Sequence, residues 1–480
     1  MKPANNTRRV SPEQAPKEIE SCLRCIYDAR LTTTSGGNVS VVDSEGSLWM
    51  TPSGTDKGDL HAHEVLSLRA PWPMSPTPAD WSCPPQPEGG ERKALRPSIE
   101  YHMHKHIYCA RPDLCAVVHA HPPFLVNFAI TGTAPDAAAL VSSALACGSK
   151  VAFAPYGLPG SEGLGASIGA AFATRDEDSV SCPDEDDVSC VIMGSHGVVV
   201  ASSVSLEDAV YKLETLEVCA GTLLCARSLS ASPPKILTAD DVSFARGFVH
   251  TCIEQSLPPS SALPEADREE IRKGRELLSR FTARSRNQLL FKATRPGVFS
   301  MRCGDDFILV SSARGDGLVL VGMDGQVHDT HQPSWRAVQH IAVYKRHKWV
   351  NAVVTSDCVM NTLAFGIAGA SEELSACAIP EGFISVRNFA QVKFGEFRAR
   401  PAEVVADRVS EAAPVVLVEN DAVHAVGTSV LQAFDRLEVT ESLAKAQVYA
   451  HMMRLPVLKI AGHDIEDLER CFGNKKSKSK

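Results

Sequence analysis

His119 and His121 close the apolar run Leu114-Cys115-Ala116-Val117-Val118. In a β-strand, residues two apart face the same way, so the two imidazoles converge on one point. A third histidine, His196, sits at the Gly-flanked break in a second apolar run, Val191-Ile192-Met193-Gly194-Ser195-His196-Gly197-Val198. Glu100, in Pro97-Ser98-Ile99-Glu100, opens the helical stretch that leads into the histidine pair. Three neutral imidazoles with one position open to water or substrate make up a catalytic rather than a structural zinc site. Zn2+ is therefore the expected metal, and Fe, Co or Mn suit the same nitrogen donors. Taken alone, His-x-His also reads as a surface pair, and Glu100 as a solvated acid at the positive end of a helix dipole.

Further motifs fall in order around these residues. Thr33-Thr34-Ser35-Gly36-Gly37-Asn38-Val39-Ser40 and Thr51-Pro52-Ser53-Gly54 precede them; Ala154-Pro155-Tyr156-Gly157 lies between the pair and His196; a helix around Glu214 and Glu217 follows. Gly36-Gly37 can take positive φ and bring N–H groups close to an anion, although such a turn standing alone needs no ligand. Ser98 equally fits as a helix N-cap. The ordered set, over roughly residues 15–230, resembles the class II aldolase/adducin family, which includes L-fuculose-phosphate aldolase, L-ribulose-phosphate 4-epimerase and methylthioribulose-phosphate dehydratase.

The resemblance implies a three-layer α/β/α domain around a central, mainly antiparallel sheet. It also implies a metal on His119, His121 and His196, Glu100 as acid/base, and a substrate phosphate held by Gly37, Asn38, Ser53, Gly54 and Ser98. A divalent ion chelated by the carbonyl and adjacent hydroxyl of a ketose stabilises the enediolate left when a C–C bond breaks or a proton departs. Glu100 is then the group that moves protons. Two positions depart from the family pattern. Ile99 stands where a second serine is usual, which removes a hydrogen bond worth about 1.5–3 kcal/mol if charge-assisted. No tyrosine lies near Leu140 or Val141, where the aldolases' neighbour-supplied tyrosine would fall.

The chain also repeats itself. Pro97-Ser98 to Tyr108 has the same separation as Pro333-Ser334 to Tyr344, and Tyr108 to His119 the same as Tyr344 to Thr355. Ser40 to Thr51 matches Ser300 to Ser311, His104 aligns with His340, and Val415-Val416-Leu417-Val418 stands where the strand before His196 does. The chemistry is missing from the second copy: Arg336, Thr355, Asp357 and Asp421 replace Glu100, His119, His121 and His196, while Val298 and Ala313 replace Asn38 and Ser53. An arginine beside two acids reads as an ion pair; a different ligand site on Arg336, Asp357 and Asp421 is the other reading.

The expected organisation is a class II aldolase-like domain over 10–230, a linker over 231–262, a degenerate pseudo-domain over 263–472 and a basic tail over 473–480. Ser75–Arg96 and Thr174–Asp187 read as surface insertions. With 480 residues, 44% of them hydrophobic, the chain can bury more than one core. A net charge of −9 without a basic patch argues against nucleic acid. No stretch approaches the roughly 18 apolar residues of a membrane span, and the polar residues 1–9 lack a secretory leader's core. Fifteen cysteines without metal spacing suit reduced thiols in the cytoplasm. The expected function is a zinc-dependent lyase or isomerase on a small sugar or sugar phosphate. The alternatives are an epimerase, a dehydratase or an adducin-like interaction protein without catalysis. The family aldolases are rings of four, so a domain beside its own copy suggests a homodimer forming a pseudo-tetramer.

Overall fold

Runs of Val, Ile and Ala bounded by Gly, Pro and Asp build two sheets, because β-branched side chains pack well on a pleated surface. The computed structural model describes residues 9–73, 75–84, 95–148, 150–173, 187–254 and 268–472. The chain divides into two compact units, Met1–Ala137 with Ser143–Ala220, and Ala138–Ser142 with Gly221–Lys480. The elements begin α1 (Ala15–Asp28), β1 (Asn38–Val42), β2 (Leu48–Met50), β3 (Leu66–Leu68), β4 (Trp81–Ser82), α2 (Tyr101–Ala110), β5 (Ala116–Ala120), α3 (Pro123–Thr131), α4 (Val141–Cys147), β6 (Ala152–Ala154), α5 (Glu162–Ala173), β7 (Cys190–Met193), β8 (Gly197–Ser202) and α6 (Leu206–Leu229). They continue α7 (Ala239–Glu254), α8 (Arg268–Asn287), β9 (Val298–Cys303), β10 (Phe307–Ser311), β11 (Leu318–Gly322), α9 (Ala337–Arg346), β12 (Ala352–Ser356), α10 (Met360–Ile367), α11 (Pro380–Ser385), β13 (Phe389–Val392), α12 (Phe394–Ala399), α13 (Val404–Arg408), β14 (Val415–Val418), β15 (Ala422–Gly427), α14 (Val430–Met452) and α15 (His463–Phe472).

The first sheet runs β4-β3-β2-β1-β5-β8-β7-β6 and the second β11-β10-β9-β12-β15-β14-β13. Neighbours are antiparallel except for the edge pairs β6–β7 and β13–β14. Every position of β1, β5, β7 and β8, and of β12, β14 and β15, is buried. Both faces of each sheet are therefore covered by helices, which gives three layers in each unit. On one face of the first sheet Val117, Val191 and Val199 pack with Met103 and Ile107 of α2 and Leu164, Ile168 and Phe172 of α5. His119 shares the face of Val117.

The second sheet repeats the first in register as well as in order. Ser40 pairs Val117 and Asn38 pairs His119 across β1–β5; Ser300 pairs Val353 and Val298 pairs Thr355 across β9–β12. Ser40 Oγ bonds His104 Nδ1 at 2.6 Å and Tyr108 OH at 2.9 Å, and Ser300 Oγ bonds His340 Nδ1 and Tyr344 OH, each at 2.8 Å. The N–H of Val39 donates to Thr51 Oγ1 at 3.2 Å, and that of Phe299 to Ser311 Oγ at 3.0 Å. Glu217 accepts the N–H groups of Phe124 and Leu125, both at 2.9 Å, at the start of α3. Glu441 does the same for Asn361 and Thr362 at the start of α10, at 3.1 and 3.0 Å. These carboxylates satisfy helix donors that have no partner within the helix.

The expected two copies and the mainly antiparallel sheets are both present. Helix α7 lies within the segment read as a linker. Of the expected insertions and tail, residues 85–94, 174–186 and 473–480 lie outside the described residues.

Glutamine at Glu217 or Glu441 turns an NH2 towards one of the two helix donors. Each change should cost about 1–3 kcal/mol, read as a lower denaturant midpoint at unchanged slope; an unmoved midpoint would deny these caps their role. Burial pushes His104 and His340 down to about 3 and His424 well below its ordinary value. The unfolded chain protonates histidine near 6.5, so between that pH and about 3 it binds more protons than the folded chain. In the metal-free protein each of these histidines should cost about 1.4 kcal/mol per pH unit as the pH falls below 6.5, offset in part by the Glu217 and Glu441 carboxyls, which burial pushes up, Glu217 to about 7. Denaturant midpoints that match at pH 7 and pH 5 would contradict this.

Candidate metal centre

Three structural features bring the histidines together. The period of β5 aims His119 and the following His121 towards α2. The β7–β8 hairpin turns through Ser195, whose φ is +53°, and delivers His196 from the neighbouring strands. Glycine is required opposite them: a Cβ on Gly36 would lie 2.7 Å from His121 Nδ1, and one on Gly37, whose φ is +71°, would lie 2.5 Å from the His119 carbonyl oxygen. The Gly36-Gly37 pair is thus a steric condition for seating the histidines, a role separate from any anion nest.

Ligand nitrogens of His119, His121 and His196 all lie within 4.8 Å of one another, and His119 Nε2 and His121 Nε2 are 3.1 Å apart. A tetrahedral zinc with bonds near 2.05 Å sets its ligand atoms about 3.3 Å apart. His119 Nδ1 donates to the Val198 carbonyl at 2.9 Å, which fixes the tautomer and leaves the Nε2 lone pair aimed inward. Burial first, then the neighbouring imidazoles, pushes His121 down to about 4 and His196 below its ordinary value. Both are therefore neutral at physiological pH, the form that binds metal.

Glu100 caps the start of α2, yet its carboxylate makes no capping bond and is 6% exposed. Its Oε2 accepts from Asn38 Nδ2 at 2.6 Å and lies 3.3 Å from His119 Nε2; Oε1 lies 3.4 Å from His196 Nε2. Oε1 is buried without a hydrogen-bond partner among the described residues. Burial pushes this carboxyl up, but the His119 imidazole, the Asn38 amide and His196 outweigh that and hold it below its ordinary value. An ionised, part-orphaned carboxylate against three imidazole nitrogens is a donor set fitted to a divalent cation.

Asn38 is engaged at both ends within the protein: Nδ2 to Glu100, and Oδ1 to His104 Nε2 at 2.5 Å. With Ser40 and Tyr108 this makes a buried chain from β1 through α2 to Glu100. Ser40, His104 and Tyr108 are positioning residues that motif reading missed; the signal available was their recurrence as Ser300, His340 and Tyr344. The remaining expected phosphate residues form two neighbouring turns. Pro52 bridges Pro97, and the Ser53 N–H donates to the Arg96 carbonyl at 2.7 Å, which sets Ser53 and Gly54 (φ +70°) beside Ser98. Ser98 Oγ accepts from the Glu100 N–H at 3.3 Å, and Ile99 is 65% exposed.

In the second unit the equivalent residues neutralise one another. Arg336 donates to both oxygens of Asp421, at 2.8 Å each, and is 6% exposed. Asp357 pairs with Lys292 at 2.7 Å. The expected Arg336–acid pair therefore takes in one of the two acids, and Lys292, unforeseen from the sequence, takes the other. Thr355 Oγ1 bridges His340 Nε2 and His424 Nδ1, each at 2.8 Å.

The profile of the Class II Aldolase and Adducin N-terminal domain matches residues 17–224 and 297–448. The 5-methylthioribulose-1-phosphate/5-deoxyribulose-1-phosphate aldolase of Rhodospirillum rubrum is 28% identical over 220 residues, 45% of this chain and 84% of that protein. The 5-deoxy-D-ribulose 1-phosphate aldolase of Bacillus thuringiensis serovar kurstaki is 27% identical over 228 residues, 47% of this chain and 91% of that one. A solved L-fuculose 1-phosphate aldolase is 21% identical, with a TM-score of 0.39 over 51% of this chain and 98% of its own. With both sheets and most of their helices inside the two matched stretches, the chain belongs to the class II aldolase and adducin N-terminal domain family, whose domain it carries twice.

Proposed function

We propose that the first unit is a metal-dependent aldehyde-lyase acting on a small phosphorylated ketose. The observation that carries this reading is the buried Glu100 carboxylate set against inward-facing imidazoles. An interaction scaffold has no physical need for three imidazoles converging on a buried carboxylate whose Oε1 has no hydrogen-bond partner among the described residues. His119, His121 and His196 would hold the metal, zinc being the first choice for three imidazoles. The bound ion would supply Lewis-acid polarisation of the substrate carbonyl. Glu100, held by Asn38, would move the proton at the carbon beside that carbonyl. Gly37, Asn38, Ser53, Gly54 and Ser98 are proposed for the phosphate; the Asn38 amide, bonded to Glu100 and His104, would have to give up one of these partners to reach it.

The relatives named above are aldolases of 5-deoxy- or 5-methylthio-ribulose 1-phosphates. A pentulose 1-phosphate without a C5 hydroxyl is therefore the substrate class to try first. Cleavage would remove the C4 hydroxyl proton, break C3–C4 to release the C4–C5 aldehyde with the electron pair left on the enediolate, and return a proton to C3. The reading also keeps the sequence-based domain boundaries, the cytoplasmic setting and a homodimer.

The purified chain should carry one metal ion. His121→Ala should lose it while keeping its circular dichroism, whereas Glu100→Gln should keep the metal and lose about 10²–10⁴-fold in cleavage rate. One ion retained in His121→Ala would refute the ligand set. Light scattering should give about twice the 51.6 kDa of one chain, and an active monomer would refute the dimer.

A further inference from the structure

Lys57 has no part in the site as described above. Its backbone N–H donates to the Thr34 carbonyl at 2.9 Å, and its ammonium to the Pro52 carbonyl at 3.3 Å. It thus ties together the two turns that carry Gly37 and Ser53-Gly54. The residue is 4% exposed. Among the described residues Pro52 is the only hydrogen-bond partner of the ammonium, and no carboxylate lies within ion-pair distance of it. Asp56 and Glu100 act on it only from further away, and burial, the larger effect, pushes its pKa down.

A lysine is rarely buried unless paired, because one neutral carbonyl does not replace the water an ammonium gives up. An anion arriving at these turns would supply the missing charge. The turns themselves offer backbone N–H groups and the Ser53 and Ser98 hydroxyls, and the exposed Arg96 lines the pocket beside Ser53 and Gly54. Ile99 offers none. Lysine acts on phosphate as a compact point charge and does not require the planar geometry of arginine.

We propose that Lys57 is a phosphate-binding residue whose ammonium supplies a buried positive charge beside the turns at 36–38 and 52–54, in addition to the exposed Arg96. The inference rests on the reading of the substrate as a phosphorylated ketose. It also accounts for the site tolerating Ile99, since a buried charge offsets a lost neutral donor.

The test is titration of the full-length, metal-loaded protein with inorganic phosphate by calorimetry, together with steady-state kinetics, in wild type, Lys57→Met and Lys57→Arg. Met keeps the length of the stem without the charge. It should weaken phosphate binding and raise KM for the ketose phosphate by about 10- to 100-fold, with kcat moving far less and one metal per chain retained. Arg should recover part of both losses. Should Lys57→Met fold poorly, Lys57→Gln, which keeps a polar group for the Pro52 carbonyl without the charge, is expected to show the same loss. Wild-type phosphate affinity in folded Lys57→Met, or no phosphate binding by the wild type, would overturn the proposal. Cleavage of ketose phosphates with an unchanged KM in Lys57→Met would sink the residue and leave the enzymatic reading standing. Lost phosphate binding in a protein that cleaves no ketose phosphate would do the reverse.

Discussion

A carboxylate removed from water must meet positive charge or several hydrogen bonds, and each unit of this chain meets that demand differently at equivalent positions. In the first, Glu100 receives one amide hydrogen bond and otherwise faces imidazole nitrogens, with Oε1 left without a partner among the described residues. In the second, Arg336 and Lys292 neutralise Asp421 and Asp357 directly. The first arrangement is incomplete without a cation and the second is complete without one. Substituting Glu100 by an arginine and two histidines by aspartates therefore replaces the proposed metal centre with a pair of internal ion pairs.

Around this exchange the framework is conserved between the units. Ser40, His104 and Tyr108 recur as Ser300, His340 and Tyr344, the Glu217 cap recurs as Glu441, and the β1–β5 register recurs across β9–β12. Ser40, His104, Tyr108, Ser300, His340 and Tyr344 are all buried, where an unpaired polar atom costs about 1–3 kcal/mol. Folding alone is enough to keep them. The ligands have no such hold on the sequence, because His119 and Thr355 each find a partner suited to their own surroundings.

Much of this was open to reading in the sequence for identifiable reasons. The two-residue period of an apolar strand fixes the convergence of His119 and His121, and equal spacings from Pro97-Ser98 and Pro333-Ser334 reveal the repeat before any contact is known. What stayed hidden depended on side-chain direction in loops and on partners far apart in the chain. Lys292 meets Asp357 from 65 residues away, at a position whose counterpart in the first copy is the neutral Thr32. Asn38 lies in a Gly-Gly-Asn turn that suggests an anion nest, but the strand pairing of Asn38 with His119 turns its amide towards Glu100 and His104. Helix α7 lies inside the stretch read as a linker over 231–262, since local composition carries little information about where a connecting segment turns helical.

The central claim is that the Glu100 side of the first unit holds a metal and the Arg336 side of the second does not. Anomalous diffraction at the zinc edge from crystals of the zinc-loaded protein measures this directly. The account predicts one peak per chain, about 2.0–2.1 Å from a ring nitrogen of each of His119, His121 and His196. A peak among Arg336, Asp357 and Asp421, or none at the three histidines, would contradict it.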